Sequence, residues 1–339
     1  MDTLTHALSG ALVARLLPAT ADRPALSRRA ALAAGAGAAV FPDIDFALRL
    51  IDTLIYLNHH QGLTHSLLLW PVWTVLLAWG FSRLSRGRYR WRAFLPPVAG
   101  GLAAHLLGDL VTAYGIQLFA PLSAQRYAAD LVFLFDAAIT VILIAGLAAA
   151  WRWPARRAIA MGTLVALLLY LGAAAGLQQR ALGLAGDYAE AKLANVERVS
   201  ALPQPPSVFH WLLIAGDTGH YHVARVNLAR QTGTTLEPET TIAGRYLAAF
   251  HPPGQLDWQR EAAAAGEAWE SPALAPVRRF MRYPVVDREA PGPGEHCRRF
   301  VDLRFTLPAL TASFRYGACR AGDGEPWRLT RWRGAFYID

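Results

Sequence analysis

The histidines and aspartates best suited to metal binding lie in four short motifs within the first 110 residues. The motifs are "LTH" at 4–6, "FPDID" at 41–45, "HHQGLTH" at 59–65 and "HLLGD" at 105–109. Four positions separate His105 from Asp109, so a helix would present both side chains on one face. Imidazole and carboxylate ligands together suit Zn²⁺, Mn²⁺ or Fe²⁺ better than Mg²⁺ or Ca²⁺. Both cysteines lie beyond residue 290, which excludes a thiolate zinc site in this part of the chain.

The two aspartates of "FPDID" allow two arrangements. In an extended segment Asp43 and Asp45 would point the same way and could share a metal ion. On a helix they would diverge, and one of them would then have a structural role. The sequence leaves both arrangements open.

The tripeptide Leu-Thr-His occurs twice, at 4–6 and 63–65, each time before an apolar run. Thr5 and Thr64 are predicted to cap helices that begin beside His6 and His65. Gly62 would permit a tight turn before the second copy. We therefore expect both histidines at helix entrances.

Together these motifs predict a site for two or more divalent ions, with zinc favoured and manganese or iron as alternatives. Ionisable groups beside apolar spans are expensive to bury and tend to be functional. Two further residues, His60 and Asp45, are the candidate catalytic residues, which would complete the shell around the metal or move a proton. The predicted ligands are His6, Asp43, His65, His105 and Asp109.

The elements that must position these residues are predicted to be membrane helices. The chain of 339 residues is 54% hydrophobic and only 17% charged, and a bilayer core requires about 20 apolar residues in a helix. Residues 4–17 and 30–41 are apolar but shorter, and suit partial spans or helices buried in the bundle. A large soluble helical core is the alternative. The predicted spans are 66–82, 93–110, 131–150 and 158–177.

The arginines predict the orientation of the bundle. They concentrate in connections at 23–29, 83–92 and 151–157, and short basic loops stay cytoplasmic. Alternating the helices then places all four polar motifs, and the carboxy-terminal half, on the extracytoplasmic side. The net charge of +8 is therefore attributed to topology. No DNA-reading motif accompanies it, so no nucleic-acid partner is predicted.

Composition changes along the chain and predicts a mainly α protein: a polytopic membrane helical bundle followed by a smaller β-rich domain. The predicted parts are a membrane domain (1–180), a helix with a Pro-rich linker (181–206) and a β-rich extramembrane domain (207–339). The β-rich domain is expected to cover the site or to bind a protein partner. His220 and His222 share a strand face there, more typical of an exposed polar face than of a metal site.

Two smaller features leave alternatives open. A hairpin centred near Pro308 would place Cys297 opposite Cys319, allowing a disulfide outside the cytoplasm, with free thiols as the alternative. Asp136 is the one charge in the span 131–150. It could hold a metal ligand in position or make a polar contact between helices.

The motifs resemble those of a known family. "MDTLTHALSG", "FPDID", "HHQGLTHS" and "AHLLGDLVTAYGIQLFAPLS" are similar in type and order to those of the YdjM-like membrane proteins. That family is described as LexA-binding, associated with the bacterial inner membrane, and as metal-dependent hydrolases. The likeness covers residues 1–180 and continues at Trp211, 220–228 and 302–305.

The resemblance implies a site made of the same residues. The family motif has a basic residue after His60, but Gln61 stands here, so a phosphate-contacting role is not carried over. A more remote likeness, taken only as analogy, is to zinc-dependent phospholipases C and P1-type nucleases. The matching positions are His6, Asp43, His60, His65, His105 and Asp109, with Asp45 close by.

Three functions are compatible with these features. The favoured one is metal-dependent hydrolysis, at the membrane surface, of a phosphoester or other ester of a lipid or envelope component. The second is a non-catalytic membrane protein with a structural metal and a partner-binding carboxy-terminal domain. The family's description as LexA-binding supports this second function. It fits poorly with an extracytoplasmic carboxy-terminal domain, because LexA is cytoplasmic. Ion transport is disfavoured because the ligands gather at one side rather than at mid-membrane.

Overall fold

The computed structural model describes residues 1–18, 24–231, 241–287, 296–310, 314–322 and 324–331. The chain forms two compact units. The first comprises residues 1–175 with 205–207, and the second comprises 176–204 with 208–339. The first is helical and the second contains two antiparallel sheets, which confirms the predicted fold class.

Seven α-helices lie in the described part of residues 1–192. Two 3₁₀ helices, Phe41–Leu50 and Leu63–His65, connect α2 to α3 and α3 to α4. The α-helices are α1 (Thr3–Leu16), α2 (Arg28–Val40), α3 (Thr53–His59), α4 (Trp70–Leu84), α5 (Trp91–Leu110), α6 (Ala137–Arg152) and α7 (Arg157–Lys192).

Three glycines let α1, α2 and α5 pack with their backbones in contact. A Cβ atom added to Gly10 would lie 2.3 Å from the carbonyl oxygen of Gly35. One added to Gly101 would lie 2.3 Å from the same oxygen. Since real side chains never approach so closely, glycine is required on these facing surfaces. Small residues allow the same close approach in many membrane bundles.

Three described helical segments are long and apolar enough to cross a membrane: Arg28–Leu50, Trp91–Leu110 and Arg157–Lys192. A fourth span is possible if Thr53–His65 and Trp70–Leu84, bent by 79° to one another, count as one. The predicted spans at 93–110 and 158–177 fall within these segments. The stretch 30–41, expected to be a partial span, belongs to a segment of full length.

The predicted span at 131–150 is wrong in its length. The side chain of Asp136 accepts hydrogen bonds from the backbone N–H groups of Ala138 and Ile139, so α6 begins only at Ala137. Residues before it are not helical, and Val132 forms an isolated bridge with Thr112. The capping carboxylate therefore shortens the helix to 16 residues.

Large apolar side chains cover the outer faces of several helices in the first unit. Val72 and Trp79 on α4, Val141 on α6, and Leu168 and Leu169 on α7 are each at least half exposed. A soluble monomer rarely exposes apolar surface on several neighbouring helices. Lipid is the solvent that suits these faces, so the structure favours the membrane bundle over a soluble core.

The second unit contains two four-stranded antiparallel sheets in the described residues, with orders β1-β2-β3-β4 and β5-β6-β7-β8. The short helix α8 (Ile242–Ala248) lies between β3 and β4 of the first sheet, and α9 (Glu267–Glu270) and α10 (Ala275–Phe280) lie between the two sheets in the chain. The strands are β1 (Arg198–Pro203), β2 (His210–Asp217), β3 (His220–Asn227), β4 (Gln259–Ala262), β5 (Pro284–Val286), β6 (His296–Asp302), β7 (Tyr316–Arg320) and β8 (Arg328–Arg331).

Alternation along β2 builds a core on both faces of the first sheet. Leu213 packs toward Ala185, in the part of α7 that belongs to this unit. Its neighbour Leu212 points to the other face and packs with Val285 and Val301 of the second sheet. The last turns of α7 thus form one outer layer of this unit.

The register of β6 and β7 pairs Cys297 with Cys319, and the two form a disulfide. This confirms the predicted opposition of the cysteines. A 3₁₀ helix over Leu303–Phe305 follows β6, so this strand ends before Pro308. Residues 311–313, in the second half of the predicted hairpin, lie outside the described residues.

A buried ion pair follows directly after β6. Arg304 donates from Nη2 to Asp302 Oδ2 at 2.8 Å, and both side chains are almost completely buried. Asp302 Oδ2 also accepts from the backbone N–H of Arg282, and Arg304 donates to the Phe280 carbonyl. The pair therefore ties α10 to the second sheet.

Candidate metal centre

Four side chains bring one potential ligand atom each to within 4.8 Å of the others. His105 and Asp109 come from the last two turns of α5. The other two come from the 3₁₀ helices that follow α2 and α3. Three of the four are fully buried, whereas the Asp43 side chain is 21% exposed, so the group opens to its surroundings at Asp43. The four residues are Asp43, His65, His105 and Asp109.

A backbone contact determines which ring nitrogen of His105 carries the proton. Nδ1 lies 2.6 Å from the carbonyl oxygen of Ala39, which can only accept a hydrogen bond. Nδ1 is therefore the donor, and Nε2 of the neutral ring is a bare lone pair. A metal-binding histidine commonly has this second hydrogen bond.

A side-chain relay does the same for His65. Thr64 Oγ1 donates to Asp45 Oδ2 at 2.8 Å and so accepts from His65 Nδ1 at 2.9 Å. In the neutral ring Nε2 of His65 is therefore the nitrogen with the bare lone pair. It lies 2.8 Å from Nε2 of His105. Two bare nitrogens repel at that distance unless a proton lies between them or a cation is adjacent to both. The donor chemistry of these residues thus fits a divalent metal ion.

The carboxylates complete this group. Oδ2 of Asp109 lies 3.3 Å from Nε2 of His65 and 3.5 Å from Nε2 of His105. Oδ1 of Asp43 lies 3.9 Å from each of the same two nitrogens. Two imidazoles and two carboxylates are a common donor set for zinc, manganese and iron.

The two aspartates of "FPDID" diverge, as expected for the helical alternative. Residues 41–50 form a 3₁₀ helix, in which side chains two positions apart cannot share a face. Asp43 faces His65 and His105, while Asp45 bonds to His60 Nδ1 at 2.6 Å and to Thr64. Asp45 thus lies behind His65 and holds its ring.

His6 lies on the far side of Asp109. Its Nε2 is 3.0 Å from Asp109 Oδ1, and its ring stacks on that of His105 with 3.8 Å between centroids. The amino group of Met1 also contacts Asp109 Oδ1. Nδ1 of His6 is buried without a hydrogen-bond partner among the described residues, which adds an unpaired nitrogen beside the group.

The three contacting glycines determine how closely these residues approach. Each glycine lies one helical turn, four positions, from a residue of the site on its own helix. The backbone contact on one turn therefore also holds the next turns of the three helices close together. There the His6 ring stacks on the His105 ring, and His105 donates to the Ala39 carbonyl. The pairs are Gly10 with His6, Gly35 with Ala39, and Gly101 with His105.

Gln61 was not predicted as a site residue, yet it donates hydrogen bonds to both Asp45 and Asp109. Its backbone N–H donates to Asp45 Oδ2 at 2.9 Å, and its Nε2 donates to Asp109 Oδ2 at 2.5 Å. Its φ of 58° is unusual for a residue other than glycine, and such backbone conformations cluster at functional sites. Its place beside His60 was the only sequence signal.

His60 lies outside the four-residue group. Its ring stacks on Tyr56 at 4.6 Å and bonds to Asp45, while Arg126 donates to its carbonyl oxygen at 2.9 Å. His60 and Asp45 thus form an outer layer behind His65. The catalytic roles of His60 and Asp45 stay a prediction.

Asp136 also lies outside the group. Besides capping α6, it accepts a hydrogen bond of 2.8 Å from Tyr170 of α7. Thr140, one turn further along α6, bonds to Thr5 of α1 at 2.8 Å. These contacts correspond to the alternative interpretation of Asp136, a polar contact between helices.

The predicted threonine caps are wrong. Asp2 caps α1 by accepting from the Thr5 backbone N–H, so the helix begins before Thr5. Leu63–His65 is a single 3₁₀ turn, and α4 begins only at Trp70. The hydroxyl of Thr64 instead contacts Asp45 and His65, because the turn directs it toward the site.

A groove of about 1000 Å³ leads away from Asp43. Asp43 and His60 lie at its polar part, and most of its remaining wall is apolar, including Val40, Phe41 and Leu77. Ile44 and Phe46 on its rim are more than half exposed. The groove suits a ligand with a polar group and a long apolar part.

The second histidine pair does not form part of a metal group among the described residues. His222 Nδ1 bonds to the Tyr188 hydroxyl at 2.8 Å, and His220 bonds to Arg260. Burial, reinforced by the nearby Arg260 charge, holds the pKa of His222 below its ordinary value. These contacts are those of ordinary polar residues on a sheet face.

The fold and site together define a membrane-embedded helical protein with a buried histidine and aspartate group that fits a metal ion. The chain belongs to the YdjM inner membrane protein family, whose model matches residues 1–181. Family membership and candidate membrane helices together support a location in the inner membrane.

A curated relative is the uncharacterised protein YfhP of Bacillus subtilis strain 168. It is 31% identical over 154 residues, which cover 44% of this chain and 46% of the relative. The match therefore spans about half the length of that protein. No solved structure matches this chain.

Proposed function

We propose that this protein is a metal-dependent hydrolase of the inner membrane that cleaves a phosphoester or another ester of a lipid or envelope component. The observation that carries the proposal is the 2.8 Å approach of the Nε2 atoms of His65 and His105 beside the carboxylates of Asp43 and Asp109. These are the nitrogens left without a proton when both rings are neutral. Buried polar groups without a compensating partner cost free energy in a membrane protein, and they tend to be functional. A divalent ion bound there supplies Lewis acidity toward an ester oxygen and makes water nucleophilic near neutral pH.

We propose two ions, most simply zinc, with manganese or iron as the other candidates. Asp43, His65, His105 and Asp109 would hold the first. The Asp109 carboxylate directs Oδ2 toward His65 and Oδ1 toward His6. Nδ1 of His6, on the other side of that ring, has no hydrogen-bond partner among the described residues and is available to a second ion.

The chain's own contribution is the alignment of the ligands. Asp45 and Thr64 keep the proton of His65 on Nδ1, and the Ala39 carbonyl does so for His105. His60 completes this outer layer and, through its bond to Asp45, provides a path for a proton toward the groove. Gln61 donates a hydrogen bond to Oδ2 of Asp109 and so holds that carboxylate in place.

An amphiphilic ester is the substrate class that suits the groove. Asp43 is the one exposed member of the four, and the groove begins there with polar residues and continues along an apolar wall. An acyl or isoprenoid chain would lie on that wall, with its ester at Asp43. Free water-soluble esters would leave the wall uncovered.

The basic connections support an orientation with the site and the carboxy-terminal half outside the cytoplasm. In that orientation the ester would be reached from the outer leaflet or the periplasmic space. The second unit would then be available to a protein partner of the envelope. A cytoplasmic partner such as LexA would not meet it.

The proposal is tested with the full chain in detergent or lipid nanodiscs. After metal analysis, the protein is assayed on phosphomonoesters, phosphodiesters and carboxyl esters, each as a soluble and a long-chain form. Asp43→Asn should lower turnover of the long-chain ester at least about tenfold while the fold is kept. His59→Ala, an exposed histidine of the same motif, is the matched control.

A fully loaded, folded protein that hydrolyses none of these esters would instead support the non-catalytic alternative with a structural metal. The lipid specificity is tested separately from hydrolysis, because a preference for soluble over long-chain esters would contradict only the substrate class.

A further inference from the structure

A second polar pocket lies at the other end of the helices that carry the metal site. It has a volume of about 280 Å³ and is lined by Arg15, Arg28 and Arg157 together with Pro96 and Pro97. Along α1, Arg15 lies nine residues from His6, a distance of roughly 14 Å. The pocket is therefore separate from the metal site.

The three arginines are held by backbone carbonyl groups. Arg15 and Arg28 both donate to the carbonyl oxygen of Pro154, at 2.6 and 2.9 Å. Arg157 donates to the carbonyl oxygen of Leu17 at 3.0 Å. Each guanidinium has five N–H groups, and most of them make no hydrogen bond to another described residue.

No acidic residue lines this pocket among those the structure describes. Arg15 is only 7% exposed, and a buried guanidinium without a carboxylate is a costly arrangement. Three positive charges gathered on one small cavity increase that cost. An anion bound in the pocket would offset it.

The pocket also lies where a membrane surface is expected. Arg28 and Arg157 are the first residues of α2 and α7, so two helix amino termini, with their positive partial charges, border the pocket. The candidate spans Arg28–Leu50, Trp91–Leu110 and Arg157–Lys192 all begin at this end. The arginines therefore lie at the level of lipid headgroups.

We propose that the Arg15, Arg28 and Arg157 pocket binds the phosphate group of an anionic ligand. Guanidinium groups bind phosphate oxygens in bidentate pairs, and basic pockets between membrane helices bind anionic lipid headgroups. The phosphate comes either from an anionic phospholipid or from a soluble phosphate compound. This site is independent of the proposed hydrolase activity.

The test uses the full chain purified in a neutral detergent, with lipid binding measured by native mass spectrometry. The probes are phosphatidylglycerol and, as the zwitterionic reference, phosphatidylcholine with the same acyl chains. The wild type is expected to bind phosphatidylglycerol at least about tenfold more tightly than the reference. Arg28→Gln/Arg157→Gln should remove most of that preference, because both side chains are exposed and their loss spares the core.

The matched control is Arg86→Gln/Arg88→Gln, which removes two exposed arginines from another connection. It should keep the preference within about twofold. An equal loss in the control would overturn the proposal, because the effect would then be one of general charge. An unchanged preference in the pocket variant would overturn it too.

Arg15→Lys provides a further check, since it keeps the buried charge but loses the planar fork. It should weaken phosphatidylglycerol binding, and an unchanged affinity would count against a guanidinium contact. Competition with inorganic phosphate and sn-glycerol 3-phosphate identifies the source. Displacement at millimolar concentrations supports a soluble ligand, whereas binding that only lipid can compete supports a headgroup.

Discussion

The Nε2 atoms of His65 and His105 lie 2.8 Å apart, and in the neutral rings they are the nitrogens without a proton. Each ring has its proton on Nδ1, held in one case by Thr64 and in the other by the Ala39 carbonyl. Hydrogen bonds made far apart in the sequence thus aim two lone pairs at one region. That alignment is the central property of the site.

Removal of either central histidine should abolish metal binding. We expect wild-type protein to retain about two ions per chain, and His65→Ala and His105→Ala to retain none after dialysis. His6→Ala should lose one ion only. Inductively coupled plasma mass spectrometry of the purified proteins measures this, with His59→Ala as the control expected to match the wild type.

Replacement of the carboxylate behind His65 should weaken the site without removing a ligand. Asp45→Asn removes the negative charge behind His65 and replaces one acceptor oxygen by a donor, either at His60 or at Thr64 and Gln61. Metal affinity should fall by about 10–100-fold. Competition with a chromogenic chelator gives the affinity. Asp52→Asn, which changes an exposed helix cap, should have little effect.

The glycine contact should be required for both packing and metal binding. A Cβ atom at position 35 would lie 2.6 Å from the Gly10 carbonyl oxygen, so Gly35→Ala forces α1 away from α2. We expect destabilisation of about 1–3 kcal/mol and a loss of metal affinity. Thermal unfolding and chelator competition measure the two effects.

Gly80→Ala is the matched control for this prediction. Nothing lies within 4 Å of a Cβ atom at that position on α4, so alanine should be neutral or slightly stabilising. If both variants behaved alike, close backbone packing would not be what positions His6 and His105.

The buried ion pair should stabilise the second unit locally. Asp302→Ala leaves Arg304 charged and buried, which costs about 3–5 kcal/mol. Hydrogen–deuterium exchange should become faster in peptides from β5 and β6, while peptides from α1 and α5 keep their protection. Asp257→Asn, at an exposed position, should leave exchange unchanged.

The cysteine pair tests the proposed orientation. Disulfides persist outside the cytoplasm and are reduced inside it. Cys297 and Cys319 in protein taken from cells under acid quench should resist maleimide unless a reductant is added first. Ready labelling without reductant would indicate a cytoplasmic second unit and would reverse the proposed orientation.

Local patterns in the sequence predicted much of the architecture. The spacing of His105 and Asp109 placed both on one face of α5 because helical periodicity depends on neighbours alone. Apolar length predicted two of the three candidate spans in the described residues, whereas the capping by Asp136 shortened another predicted span. The register of Cys297 and Cys319 followed from the symmetry of a hairpin about Pro308.

What the sequence by itself determined is therefore the set of ligand types, the membrane setting and the division into helical and β-rich parts. Only the tertiary structure decided that Asp43 belongs to the metal group while Asp45 lies behind His65. It also decided that Gln61 donates hydrogen bonds to both Asp45 and Asp109, and which nitrogen of each histidine is free. These outcomes depend on contacts between helices distant in sequence, which the touching backbones of Gly10, Gly35 and Gly101 bring within hydrogen-bonding distance.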